Sequence, residues 1–233
     1  MRQIFLDTET TGLESKLGHR IVEIAAVEML NRRLTGKRFH NYLNPEREVE
    51  AGALQVHGLT NDFLQDKPLF LDITRELLEF IDGAELIMHN APFDVGFLNN
   101  ELGLAKLQPL ENYCHSVTDT LKMAKELHPG KRNNLNALCE RYQINNSKRV
   151  LHGALLDAEI LSDVYLALTG GQTLLDLDTA VVDRGVRERR TREQRGRLKV
   201  VRATDEELAA HQERLDQLEE ASGAQALFRG FDA

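Results

Sequence analysis

The apolar run Ile4-Phe5-Leu6 leads straight into Asp7-Thr8-Glu9, with Thr10-Thr11-Gly12 behind it. The run reads as a short buried β-strand, and side chains two apart on a strand share a face. Asp7 and Glu9 are thereby predicted to converge at the carboxyl end of that strand, where Gly12 lets the chain turn away. Two oxygen ligands held side by side suit a hard divalent cation such as Mg²⁺ or Mn²⁺. An isolated D-x-E is more often a strand end carrying solvated acids, so the rest of the chain has to separate the two readings.

Two further segments supply what a two-metal centre would lack. His89-Asn90-Ala91-Pro92-Phe93-Asp94 follows Glu85-Leu86-Ile87-Met88 and reads as strand, turn and helix start, with Pro92 suited to the first helical turn. His152-Gly153-Ala154-Leu155-Leu156-Asp157 enters the apolar-periodic run Ala154 to Leu168, which places a histidine at a helix entrance and an aspartate on its first turns. Four carboxylates and one histidine thus come from three strand-end or helix-end positions.

This order of motifs resembles the DEDDh group of 3′→5′ exonucleases, the DnaQ-like family, with all five family positions filled by Asp7, Glu9, Asp94, His152 and Asp157. The H-x4-D spacing points to the histidine subgroup. Asn31-Arg32-Arg33-Leu34-Thr35-Gly36, Pro129-Gly130-Lys131-Arg132-Asn133 and the segment from Ser147 to Ala158 resemble the proofreading members of that family. The likeness covers roughly residues 1–172, and the remaining tail more loosely.

The resemblance implies an α/β, ribonuclease H-like fold, a mixed five-stranded sheet flanked by helices, and two divalent metal ions, Mg²⁺ or Mn²⁺. In it Asp7, Glu9 and Asp157 bind the metal nearer the nucleophile, while Asp7 and Asp94 help place the second. His152 becomes the general base for the attacking water, since imidazole titrates near working pH; the alternative is a core or capping histidine. Substrate contacts also follow from the resemblance. Thr10 and Leu13 abut the terminal nucleotide beside Asp7, Glu9 and Asp157, His57 approaches from a loop, and Asn90 and Phe93 line the opposite side. Phe93 either stacks on an unpaired base or simply packs in the core.

With 233 residues and 42% hydrophobic content the chain can bury a full α/β core and carry a small appendage. No apolar run reaches the length of a membrane span and no signal peptide is evident, so a cytoplasmic setting is expected, and the family resemblance implies a bacterial one. Cys114 and Cys139 show no C-x-x-C spacing and read as reduced core thiols. A net charge of −8 argues against a stand-alone, tight DNA binder, because phosphate attraction usually leaves a basic footprint. It does not argue against nuclease chemistry, since part of that acidity is the proposed metal site and a larger partner could hold the subunit on a frayed 3′ DNA end.

The strands are predicted as Arg2–Leu6, Ile21–Leu30 and Phe39–Leu43, the last pair joined by a turn over Asn31–Gly36, with Glu85–Met88 as the next. Helices are predicted over Leu69–Ile81, Pro92–Leu102, Thr120–His128, Asn134–Tyr142 and Ala154–Leu168, and Asp119 reads as a cap. The division expected is an exonuclease domain over 1–171, a clamp motif and basic flexible linker over 172–203, and a polymerase-docking tail over 204–233. Gln172, Leu175 and Leu177 resemble a sliding-clamp peptide, or Leu174, Leu175 and Leu177 finish the nuclease core. Arg184 to Arg202 holds nine basic residues and few large apolar ones. Thr204-Asp205-Glu206-Glu207 forms a capping box opening a helix with Leu208, Leu215 and Leu218 on one side, and Leu227, Phe228 and Phe231 complete the surface expected to dock on the polymerase subunit. The functional expectation is a proofreading 3′→5′ exonuclease. The alternatives are an exoribonuclease trimming RNA ends, or a non-catalytic adaptor with the same fold.

Overall fold

The computed structural model describes residues 1–147, 149, 151–170 and 203–223. Three strands, β1 (Arg2–Thr10), β2 (Ile21–Leu30) and β3 (Arg33–Tyr42), form an antiparallel meander. Short helices α1 (Ala51–His57) and α2 (Asn61–Leu64) lead to α3 (Phe70–Ile81), which feeds β4 (Glu85–Met88). Helix α4 (Ala91–Leu104) crosses to β5 (Ser116–Asp119), and α5 (Thr120–Leu127), α6 (Leu135–Tyr142) and α7 (Ala154–Gly170) follow. The sheet order is β3-β2-β1-β4-β5, with β4 and β5 parallel to β1, so it is the mixed five-stranded sheet that the family resemblance implies.

Strand β1 is central and covered on both faces, which is why its apolar residues run consecutively. Ile4 and Leu6, with Leu86 and Met88 of β4, pack beneath Leu77 of α3 and Phe97 and Leu102 of α4. Phe5 and Ile87 face the other way, toward Leu138 of α6 and Leu161 and Val164 of α7. Phe5 meets Tyr165 edge-on at 5.4 Å, and Gln3 donates to the Tyr165 hydroxyl at 3.0 Å. Residues 3, 5, 7 and 9 share a face, so Asp7 and Glu9 are carried onto the α7 side. A one-residue slip of β1 would expose Phe5 to the wrong layer and turn both acids toward α3 and α4.

Four sequence expectations change. Strand β1 continues to Thr10, with Glu9 opposite Glu23 and a bulge before Thr10, so the acids lie within the strand rather than at its end. The opening they face exists because β4 pairs only with Gln3 to Phe5 before the chain diverges. Strand β3 begins at Arg33, not Phe39: Leu30 pairs with Arg33 across a two-residue turn in which Asn31 and Arg32 both have positive φ (50° and 63°). Gly36 (φ 84°) instead serves the register irregularity further along β3. His57 is not on a loop but closes α1, where Gly58 (φ 73°) ends the helix. Both cysteines are free, but only Cys139 is a core residue; Cys114 is partly buried.

Asp119 caps α5, accepting from the Leu121 N–H at 2.9 Å, and it also takes the Asn90 N–H at 3.0 Å. In a separate unit, α8 (Asp205–Ser222) opens with the predicted capping box: Thr204 N–H donates to Glu207 Oε2 (2.8 Å) and Glu207 N–H to Thr204 Oγ1 (3.3 Å). The Gln172–Leu177 motif, the basic segment 184–202 and Leu227, Phe228 and Phe231 lie outside the described residues. No helix among the described residues is long and apolar enough to cross a membrane.

Candidate active site

Asp7, Glu9, Asp94, His152 and Asp157 line one open cleft of about 550 Å³. Asp7 and Glu9 come from β1. Asp94 comes from the first turn of α4, which starts directly after Asn90 turns the chain with φ 71°. Its Oδ1 accepts from the Thr8 N–H (3.1 Å) and the Thr8 hydroxyl (2.7 Å), so β1 itself holds the α4 carboxylate in place. Asp157 sits on the first turn of α7. His152 precedes that helix, and its N–H donates to Val56 O of α1 at 3.1 Å. One ligand atom each from Glu9, His152 and Asp157 lie within 4.8 Å of one another.

Burial and like charge act together on this cluster. Burial, then Asp94, Asp157 and Glu9, push Asp7 well above the ordinary aspartate range. Burial, then Asp157 and the cross-strand Glu23, push Glu9 up to about 8, with Arg149 opposing. Asp94 rises to about 7, chiefly by burial, against the lowering effect of its Thr8 hydrogen bonds. Such a group of hard oxygen donors cannot all ionise without a nearby cation, which is the fit a divalent ion needs. His152 is held below the usual imidazole value by burial and then by Arg149, against the pull of Asp157.

Arg149 is the site residue that sequence reasoning missed. Its buried guanidinium donates to both Asp157 oxygens (2.5 and 2.6 Å), lies 2.9 Å from His152 Nδ1, and donates to Asn136 Oδ1 (2.6 Å). It stands within a segment singled out for its likeness to the proofreading exonucleases, but nothing local signals that it folds back eight residues onto Asp157. Thr8, the partner of Asp94, was equally silent.

A second pocket, about 370 Å³, adjoins the cleft and is lined by Glu9, Thr10, Leu13, His57 and Phe93. His57 Nδ1 accepts from the Leu59 N–H (3.0 Å), which leaves the ring proton on Nε2. Burial lowers the His57 pKa and keeps the ring neutral. Asn90 lines the cleft instead. Phe93 packs on Phe97 at 4.9 Å and also lines both cavities.

The sheet order, with an acidic cluster where β1 and β4 diverge, defines the class as a ribonuclease H-like exonuclease fold. A family model described as an exonuclease matches residues 4–165, which contain all five cluster residues. The DNA polymerase III subunit epsilon of Salmonella typhimurium strain LT2 is 52% identical over 238 residues, covering 96% of this chain and 96% of that one. The protein of the same name from Escherichia coli strain K12 is 50% identical over 232 residues, again with 96% of each chain covered. This chain therefore belongs to the exonuclease family and, within it, to the polymerase III epsilon subunits. Among solved structures, the nuclease domain of 3′hExo, a DEDDh family member bound to rAMP, matches with a TM-score of 0.62 at 17% identity, covering 72% of this chain and 90% of that one, a likeness of fold.

Proposed function

We propose that the chain removes 3′-terminal nucleotides from DNA with the help of two divalent ions, Mg²⁺ or Mn²⁺, as the proofreading subunit of a replicative polymerase. The observation that carries this reading is the convergence of four carboxylates and His152 on one cleft, with three of those carboxyls pushed above their ordinary range. Asp7, Glu9, Asp94 and Asp157 would hold the ions, which when bound supply charge neutralisation at the phosphate and its leaving oxygen. His152 takes the proton from the attacking water, and its lowered pKa keeps it neutral and able to do so near pH 7. The pocket beside Glu9, apolar at Leu13 and Phe93, accepts the terminal nucleotide without reading its base.

A site of this kind takes a single-stranded end, so a mismatch helps by lowering the cost of fraying. Digestion of a 3′-mismatched primer should require divalent metal and outpace digestion of the matched primer. The preference should shrink on single strands, where nothing needs to melt. A base preference that persists on single strands would contradict the fraying argument, and faster loss of an RNA of the same sequence would favour the exoribonuclease reading.

The tail belongs to the same proposal. The relatives matched along 96% of this chain are named as polymerase III subunits, and the capping box of α8 supports a docking helix there. Residues 184–202 would tether the nuclease, Gln172, Leu175 and Leu177 would engage a sliding clamp, and 204–233 would dock on the polymerase subunit. Tethering raises the local concentration of the site at the primer end, so tight DNA binding is unnecessary, consistent with the net charge of −8. A chain ending at Gly171 should keep hydrolysis of free single strands but fail to copurify with the polymerase. Replacing Gln172 and Leu175 with Ala should weaken clamp binding and spare the polymerase contact. Full-affinity polymerase binding by the truncated chain would overturn the assignment.

A further inference from the structure

The acidic cluster carries a cation of its own. The Arg149 side chain is 6% exposed and lies against the Asp157 side chain, itself 4% exposed, with Nε on one carboxylate oxygen and Nη2 on the other. A guanidinium stays protonated at any working pH, so this is a full charge that does not titrate away. Its influence reaches past Asp157, since it opposes the upward shifts of Asp7 and Glu9. Asp157 is one of the proposed metal ligands, and both of its oxygens are engaged by this fork.

Groups outside the ligand set place the guanidinium. Its Nη1 donates to Asn136 Oδ1 on the first turn of α6 at 2.6 Å, and the Arg149 backbone N–H donates to Asn146 O at 2.9 Å. Removing one partner of a buried ion pair strands the other charge and destabilises the fold. A divalent ion is the replacement that leaves Asp157 neutralised. The contacts to Asn136 and to His152 Nδ1 do not involve Asp157, so the guanidinium can release that carboxylate without leaving the cleft.

We infer that Arg149 is the internal counter-ion of the cluster, neutralising Asp157 in protein stripped of divalent ions, yielding that carboxylate to an incoming ion, and so setting how tightly the ion is held. The inference rests on the metal-dependent reading proposed above. Two consequences follow from the competition. The cluster stays folded without an ion, and it binds the ion less tightly than its carboxylates alone would. The same contacts would have the opposite effect if Arg149 served to orient Asp157 as a ligand, because its loss would then weaken binding.

The test titrates the full chain with Mn²⁺ alone, in a calorimeter and without nucleic acid, and records melting temperatures with and without the ion. Arg149→Gln should bind Mn²⁺ at least about 10-fold more tightly than the wild type, the scale of a hydrogen bond to a charged group. Its melting temperature should be lower than wild type without the ion, and saturating Mn²⁺ should close that gap. Arg149→Lys keeps the charge but loses the fork, so its affinity should fall between the two. Asn136→Ala, at an exposed position, loosens the guanidinium without removing it. It should tighten binding by about 3-fold, the scale of an ordinary hydrogen bond, and it decides the matter if Arg149→Gln does not fold. Unchanged or weaker Mn²⁺ binding in these variants would overturn the inference and leave the metal-dependent reading standing. A wild type that binds no Mn²⁺ would overturn both.

Discussion

Replacing Asp7 with Asn should abolish metal-dependent hydrolysis and, in protein stripped of divalent ions, raise the melting temperature. Asp7 belongs to both proposed ligand sets, so the loss of turnover should exceed about 10³-fold, the upper end for removing one group that stabilises developing charge. The gain in stability follows from the proton balance. Glu9 at about 8 and Asp94 at about 7 bind protons more tightly in the folded state than in the unfolded chain, and Asp7 shifts in the same direction. Stability therefore falls as the pH rises from the unfolded carboxylate value of about 4.5 toward the folded value of about 8. Removing one charge should recover on the order of 2 kcal/mol at the alkaline end, where each unit of pKa shift corresponds to about 1.4 kcal/mol. For a chain of this size that is roughly 4–8 °C. The gain should vanish near pH 5, where Asp7, Glu9 and Asp94 of the wild type hold their protons. Saturating Mg²⁺ should reverse the order, because only the wild type offers the complete ligand set. Calorimetry at both pH values with and without the ion measures all of this. Near-wild-type turnover in the variant, or no stability difference at pH 8 without the ion, would sink the assignment of Asp7.

The parts of the site that the sequence makes legible are those encoded by short periods. Asp7 and Glu9 are two apart on a strand, Asp94 opens a helix after a proline, and Asp157 follows His152 at a helix entrance; each rests on local geometry. The sheet was legible for the same reason, since Ile4-Phe5-Leu6 and Leu86-Ile87-Met88 are unbroken apolar runs of the kind that two-sided burial requires. What stayed hidden depends on where distant segments meet. Arg149 owes its role to the fold bringing it back onto Asp157 and His152, and Thr8 owes its role to α4 arriving beside β1. The turn was misplaced because Gly36 is the residue whose chemistry announces positive φ, while Asn31 and Arg32 adopt it to satisfy the strand twist.

His152→Ala should lower turnover about 10²–10⁴-fold, the range for losing a general base, while divalent-ion binding persists on the four carboxylates. The pH profile is the sharper readout. Burial, then Arg149, shift the His152 pKa downward, with Asp157 opposing, so the neutral ring survives to lower pH than free imidazole. The wild-type rate should thus climb with pH through one ionisation below 6.5 and be level at neutral pH. The variant should lose that limb. Arg149 also decides which nitrogen acts. Its N–H faces Nδ1 at 2.9 Å, so the neutral ring keeps its proton on Nε2 and offers Nδ1, 3.6 Å from Asp157, as the basic atom. With His152 as the proposed base, the attacking water and Arg149 would compete for one lone pair. Arg149→Gln should move the limb toward higher pH, because it removes a positive charge that opposes protonation of the ring. Measuring kcat across pH 5 to 9 for the three proteins separates the possibilities. A limb unchanged in His152→Ala would assign the proton to another group, and a limb that moves toward lower pH in Arg149→Gln would show that the guanidinium does not govern the imidazole.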